Sequence, residues 1–318
     1  MLLPLVCWIH LTAGTINVGF TDFWNGLFQF DKSVTEQLIA REIRIPRMVM
    51  ALISGSGLAV SGLLMQTLFN NPLAGPYVLG INSGASLFVA FSMMTGIPFL
   101  SSDIGIVTNA LIGAFVFGMI ILLFSEVVRA QISLLLVGLM LGSFTSAIVS
   151  LLQSASGLEQ LKAYTLWTFG SLTRTDLHQL PIIACVFILG IFLSFLLIKP
   201  LNLLVTGQKN AALMGINYRR VRVLIIVVTA VLTGLITAYC GPIAFVGLAV
   251  PNLIRLLMKT QHHGILLISS IVFGALFVLV CDTIIQFLEG SLILIPINVF
   301  TSIIGAPIVV LLVLRRLR

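Results

Sequence analysis

Along its length the chain alternates long apolar runs with short polar or turn-rich breaks. A helix needs about 20 mostly apolar residues to cross the hydrocarbon core of a bilayer. Ten segments qualify: roughly 1–20, 46–68, 77–99, 104–125, 131–152, 180–199, 221–240, 243–259, 264–286 and 293–314. The first turns polar in its second half, and the eighth is short and interrupted by Pro251. Two breaks, 70–76 and Gly241-Pro242, fall at or near membrane depth. Irregular backbone persists there only where protein or a water-filled cavity covers it. Small residues recur at helical spacing (Gly57 and Ser61, Gly80 and Gly84, Gly138 and Gly142), which lets helices approach closely. The pattern predicts an all-α polytopic membrane protein of about ten transmembrane helices, with 1–318 forming a single transmembrane domain.

Composition excludes the main alternatives. Hydrophobic residues make up 59% of the chain and charged residues 8%, against about 25% charged in an average soluble domain. Too few charges remain to coat a soluble fold, which rules out an ordinary cytosolic enzyme, a disordered chain and a secreted disulfide scaffold. The formal net charge of +7 then acts as a topology signal rather than a nucleic-acid footprint. With the N-terminus in the cytoplasm and ten alternating spans, most Lys and Arg fall on the cytoplasmic side, including Lys199, Lys209, Arg219, Arg220, Arg222, Arg255 and Lys259, with Glu126 as their only acid. The outer side holds Lys32, Arg41, Arg44, Arg47, Lys162 and Arg174 among an excess of acids. This asymmetry obeys the positive-inside rule and places both termini in the cytoplasm. The opening MLLPLVCWIH has no basic leader and no clear cleavage site, so it reads as a first span rather than a signal peptide.

Candidate catalytic chemistry is sparse. Cys7, Cys185, Cys240 and Cys281 are scattered through apolar segments and form no CxxC pair. His10, His178, His262 and His263 show no metal-ligand spacing, and no Walker-type glycine loop, HExxH pair or GxSxG elbow occurs. The expectation is a chain that is not an enzyme and binds no cofactor or metal. Any ATP-driven activity would borrow its motor, with ATP and Mg, from a separate subunit.

Several motifs, taken in order, point one way. Arg44-Ile45-Pro46-Arg47 precedes the second span, which continues through Ser54–Gly62 to Gln66, Asn71-Pro72-Leu73-Ala74 and Leu79–Ala85. Later come Gly241–Leu248, Val250–Arg255, Ile295-Pro296-Ile297 and Ile304-Gly305-Ala306-Pro307. From about Arg44 to Arg316 this string resembles the FecCD family of permeases, the membrane subunits of type II ABC importers for ferric siderophores, haem and cobalamin. The resemblance implies ten helices, a second permease subunit (identical or different), two cytoplasmic ABC ATPases and an extracytoplasmic substrate-binding protein, assembled in the cytoplasmic (inner) membrane of a bacterium.

The same resemblance assigns candidate sites. The loop Gly207-Gln208-Lys209-Asn210-Ala211-Ala212-Leu213-Met214-Gly215-Ile216 resembles the coupling loop that sits in a cleft of the ATPase. Its small residues Gly207, Ala211, Ala212 and Gly215, with Gln208 and Leu213, would let a rigid partner dock closely. Gln208 stands where related loops often have an acid. Arg44 and Arg47 match arginines that face acids of the binding protein, a role in steering and register; snorkelling to lipid phosphate is the other explanation. A further family arginine is replaced here by Gln286. Asn71 and Leu73 match a cytoplasmic constriction of the pathway, and Gln131 and Ile132 a second one; Asn71 also suits a helix cap. Asp282 is the most membrane-embedded acid, which makes it either functional or a hydrogen-bonded structural group.

Two functions follow. The first is an importer permease for an iron chelate (ferric siderophore or haem), with cobalamin as the alternative cargo. The second is an ion-coupled secondary transporter, which would need intramembrane ionisable groups that the spans hardly supply beyond Asp282.

Overall fold

The computed structural model of the chain describes residues 2–14, 18–28, 30–31, 33–95, 102–128, 131–288 and 295–317. Of the residues that set the charge asymmetry, Lys32, Arg129, Glu289 and Arg318 lie outside the described residues, as do the side chains of Gln131 and Gln208. The described residues form helices and connecting turns, with no strand among them.

In chain order the helices are α1 (Leu2–Thr12), α2 (Phe20–Phe28), α3 (Thr35–Ile39), α4 (Ile45–Leu68), α5 (Ile81–Met94), α6 (Asp103–Val127), α7 (Gln131–Ala155), α8 (Leu158–Thr168), α9 (Leu180–Leu196), α10 (Ile198–Leu204), α11 (Gln208–Leu213), α12 (Tyr218–Cys240), α13 (Val246–Met258), α14 (His263–Leu288) and α15 (Ile297–Leu317). Among the described residues, six helical stretches are long and apolar enough to cross a membrane. Four shorter apolar helices, α1, α5, α13 and the first part of α15, fall on the other four expected spans. The first expected span is interrupted: α1 stops at Thr12, and Gly14 follows at φ 127°, a turn that suits the polar second half of that segment.

α4 is the central helix. Almost every residue from Met50 to Gln66 is buried, because α14, α12, α13 and α9 all pack around it. Glycines set the spacing. A Cβ on Gly55 would overlap the main-chain carbonyl of Gly274 on α14, and one on Gly62 would overlap that of Gly247 on α13. The helices therefore touch backbone to backbone, the packing that small residues permit in membranes. A second layer, α5 with α6 and α7, packs on α12 and carries its own apolar core. α7 lies at the periphery, with Leu136, Met140, Phe144 and Leu151 all exposed, as expected of a face turned to lipid or to another subunit.

The break after α12 is covered by protein. Gly241 turns at φ 73° and Phe245 at φ 65°, so the chain leaves helix geometry for a few residues before α13 begins. Its polar groups are met from two sides. Ser171 N–H donates to the Cys240 carbonyl (2.7 Å), and the Asn298 side-chain oxygen accepts from Ala244 N–H (3.0 Å). These two groups of the irregular backbone thus find protein partners, as membrane depth requires.

Candidate functional site

At the end of the bundle assigned to the outer side, α1, α4 and α14 meet through four polar side chains. α3 runs into α4 through one π-helical turn, Ala40–Arg44, and Pro46, which has no N–H to donate, follows directly after that irregular turn. This geometry points Arg47 at α14. Its Nε donates to Asp282 Oδ2 (2.8 Å) and its Nη2 to Asp282 Oδ1 (2.9 Å), a two-pronged pair. His10 on α1 donates through Nε2 to the same Oδ2 (2.8 Å). Gln286, one turn along α14, completes the cluster with its amide oxygen toward His10 Nε2 (2.9 Å) and Arg47 Nε (3.2 Å) and its amide NH2 toward the carbonyls of His10 (3.1 Å) and Ala13 (3.2 Å). Asp282, His10 and Gln286 are buried. Arg44 is buried as well and donates to the carbonyl of Leu11. Both expected docking arginines therefore point inward in this structure. Asp282 is a hydrogen-bonded member of an ion pair, and Gln286 occupies a place where an arginine would crowd His10 and Arg47. On the surface nearby lie Glu42 and Ile43, with Arg41 stacked over the Phe30 ring at 4.4 Å.

The opposite end carries the other candidate residues. α4 ends in a Schellman turn: Asn71 N–H donates to the Gln66 carbonyl (3.1 Å) and Asn70 N–H to that of Thr67 (3.3 Å), with Asn70 in the left-handed region at φ 46°. Asn71 then folds the chain again, its Oδ1 accepting from Leu73 N–H (2.9 Å) in an Asx turn. Leu73 is left partly exposed. Asn252 on α13 clamps this turn from the side, donating to the Pro72 carbonyl (2.7 Å). Gln131 opens α7, the next residue Ile132 is exposed, and α7 packs on residues 76–79 just beyond the turn. Each expected gate residue thus sits at a helix end or turn, with Leu73 and Ile132 uncovered.

The expected coupling segment forms the short helix α11 between two glycines. Gly207 precedes it at φ 100°, and Gly215 closes it at φ 85°. The closure is again a Schellman turn, with Ile216 N–H donating to the Ala211 carbonyl (3.0 Å) and Gly215 N–H to that of Ala212 (3.0 Å). Ala211 is buried against the rest of the chain, whereas Ala212, Leu213 and Met214 are exposed, Leu213 to 88%. Met214, which the sequence reading left out of the candidate set, therefore belongs to the exposed patch, and Ala211 supports it from beneath.

Residues 2–315 match the FecCD transport family. The chain belongs to that family. Among its relatives, the hemin transport system permease protein HmuU of Yersinia pestis is 32% identical, over 98% of this chain and 94% of that protein. The vitamin B12 import system permease protein BtuC of Vibrio parahaemolyticus is 33% identical, over 99% and 92%. Among solved structures, a metal-chelate type ABC transporter in an inward-facing conformation matches with a TM-score of 0.86 at 30% identity, covering 99% of this chain and 96% of that one. As a FecCD-family chain, this is a multi-pass ABC transporter permease and not an enzyme.

Sequence reasoning within the FecCD pattern missed His10, Gln66, Asn252, Arg255 and His263 as site-building residues. Arg255 donates to the Gln66 side-chain oxygen, and Gln66 also lies near the carbonyls of Gly247 (3.4 Å) and Leu248 (3.3 Å). The available signal was that a polar side chain inside an apolar helix seeks a partner. The sequence does not say which one, because the partners of Gln66 and Arg255 lie 180 or more residues away and even Asn202, a partner of His263, is 61 away.

Proposed function

We propose that the chain is the permease subunit of an ABC importer for an iron chelate, a ferric siderophore or haem, with residues 1–318 acting as one transmembrane domain in a bacterial cytoplasmic membrane and with cobalamin as the alternative cargo. The observation that carries the coupling part of this reading is Leu213. Leu213, exposed to 88%, adjoins exposed Ala212 and Met214 on a glycine-bounded helix between two spans, and a contiguous apolar patch of this kind supports a partner surface there. Two ABC ATPases, which hold the ATP and Mg that this chain does not bind, are the partners that the coupling segment 207–216 fits. A second permease subunit covers the exposed faces of α7, and the gate residues Asn71, Leu73, Gln131 and Ile132 line the shared path on the cytoplasmic side. A binding protein meets the outer ends of α3 and α4. Arg44 and Arg47 take part by exchanging the Leu11 carbonyl and Asp282 for acids on that protein. Hemin and vitamin B12 relatives at nearly equal identity support the chelate class and leave its members to experiment.

The test is co-purification from native membranes in mild detergent, followed by ATP-dependent uptake in proteoliposomes with haemin, a ferric siderophore, ferric citrate and cobalamin as probes. An ATPase and a second permease chain in the complex, with ATP-dependent uptake of one probe, are expected. Uptake that is independent of ATP and abolished by a protonophore would replace this reading with the secondary transporter.

A further inference from the structure

Between the coupling segment and the gate turn lies a chain of hydrogen bonds centred on one histidine. His263 opens α14 and is buried. On one side it meets Asn202 of α10, the helix that leads into the coupling segment. Asn202 Oδ1 accepts from the His263 main-chain N–H (2.7 Å) and from its ring Nδ1 (3.0 Å). A ring that donates through Nδ1 has Nε2 free to accept. Nε2 lies 2.8 Å from the hydroxyl of Thr67, in the last turn of α4. Thr67 has one hydroxyl proton and two acceptors within reach, His263 Nε2 and the Leu63 carbonyl (2.9 Å). Thr67 also supplies the carbonyl that caps α4 at Asn70, so it is part of the gate turn itself.

Two further features make this bridge suited to movement. A cavity of about 320 Å³ lies beside it, lined by Gln66, Asn70, Asn71, Val205, Arg255 and His263. It lies between the gate turn and the end of α10, so the two elements face each other across open space. The lining is largely polar, and the Arg255 guanidinium reaches both Gln66 and Thr67 (Nη2 to Oγ1, 3.4 Å). The Thr67 hydroxyl can sit in either of two discrete hydrogen bonds, the kind of two-arrangement element through which one site biases another.

We infer that His263 is a positioning residue that transmits displacement of α10 and the coupling segment to the gate turn, through Asn202 on one side and Thr67 on the other. This deepens the importer reading and rests on it. When the ATPases move α10, His263 follows through its two bonds to Asn202, and the Thr67 hydroxyl passes from His263 to the Leu63 carbonyl or back. The gate turn then gains or loses its tether to α14.

The experiment uses the reconstituted complex of this chain with its ATPases and needs no transported cargo. A cysteine placed at Leu73 is labelled with a membrane-impermeant maleimide, with and without ATP–Mg, and labelling is read at that peptide by mass spectrometry. In the otherwise unmodified chain ATP–Mg is expected to change the labelling rate. In His263→Phe, and independently in Thr67→Val and Asn202→Leu, that change shrinks about tenfold, within the range by which network residues alter coupling between sites. ATPase association and ATP hydrolysis are retained. His263→Gln, which keeps an amide donor and acceptor, restores part of the response. A full ATP-driven change in all three substituted chains overturns the relay and leaves the importer reading standing. Failure of the unmodified chain to bind ATPases overturns the importer reading and the relay together, whereas ATPase binding with no ATP–Mg response at Leu73 overturns the relay alone.

Discussion

Arg47 and Asp282, 235 residues apart, form a two-pronged ion pair, buried at Asp282, that ties the start of α4 to the C-terminal part of α14. Removing one partner of such a pair leaves the other charge buried and uncompensated, at a cost of about 3–5 kcal/mol. Asp282→Ala is therefore expected to lower the melting temperature of the purified chain in detergent markedly. His10→Ala, which leaves the pair intact, should cost less. Arg47→Glu faces Asp282 with a like charge and should destabilise as strongly as Asp282→Ala. A chain carrying Arg47→Glu that melts like the unmodified protein would show that the pair does not hold α4 to α14.

The docking role of the same residue separates from its structural one. If Arg47 leaves Asp282 to meet an acid of the binding protein, Asp282→Asn should loosen the internal hold and strengthen binding-protein association. If Arg47 stays with Asp282 throughout, the affinity stays the same. Titration of the binding protein against the two purified chains reads the difference directly.

Leu213 offers a cleaner separation of folding from assembly. Its side chain touches little of its own chain, so Leu213→Glu should change stability by no more than about 0.5 kcal/mol, as surface substitutions do. The same change should weaken ATPase association roughly 10- to 30-fold, the loss of an anchor of about 1.4–2 kcal/mol. Ala212→Trp should act in the same direction by bulk. Unaltered co-purification of the ATPases with both variants would remove the coupling assignment.

The glycine contacts predict a contrast. Gly62→Ala places a methyl group against the Gly247 carbonyl, and α4 and α13 must part to admit it. Overpacking of this kind costs about 1–3 kcal/mol. Gly207 has open space around the position of a Cβ, so Gly207→Ala carries only the strain of its positive φ. Thermal melting should rank Gly62→Ala well below Gly207→Ala.

Asn298 tests whether the break after α12 needs its polar anchor. Its side chain accepts from Ala244 N–H and reaches the Thr168 carbonyl at 3.3 Å. Asn298→Leu leaves these groups without that partner, at a cost of about 1–3 kcal/mol for each one left buried and unsatisfied. Limited proteolysis at residues 241–245 should accelerate in that variant; an unchanged rate would mean that the α8 and α15 contacts hold the loop without it.

Much of the architecture was legible from the sequence, because lipid imposes a length and an apolarity on every crossing element. The long spans α6, α7, α9, α12 and α14 lie where hydropathy placed them, and the ordered motifs from Arg44 to Pro307 were enough to indicate the family. Gly207 and Gly215 were legible only as small docking residues, and the structure adds that their positive φ values bound α11. What only the tertiary structure decided is which distant residue each polar side chain faces. Arg47 reads as an outward charge until α14 brings Asp282 to it, and His263 shows only a lack of metal-ligand spacing until α10 and α4 enclose it. Backbone conformation and membrane burial are written locally, within a few residues. Partner choice is set by helix packing between segments up to some 270 residues apart, and one sequence on its own carries no record of that pairing.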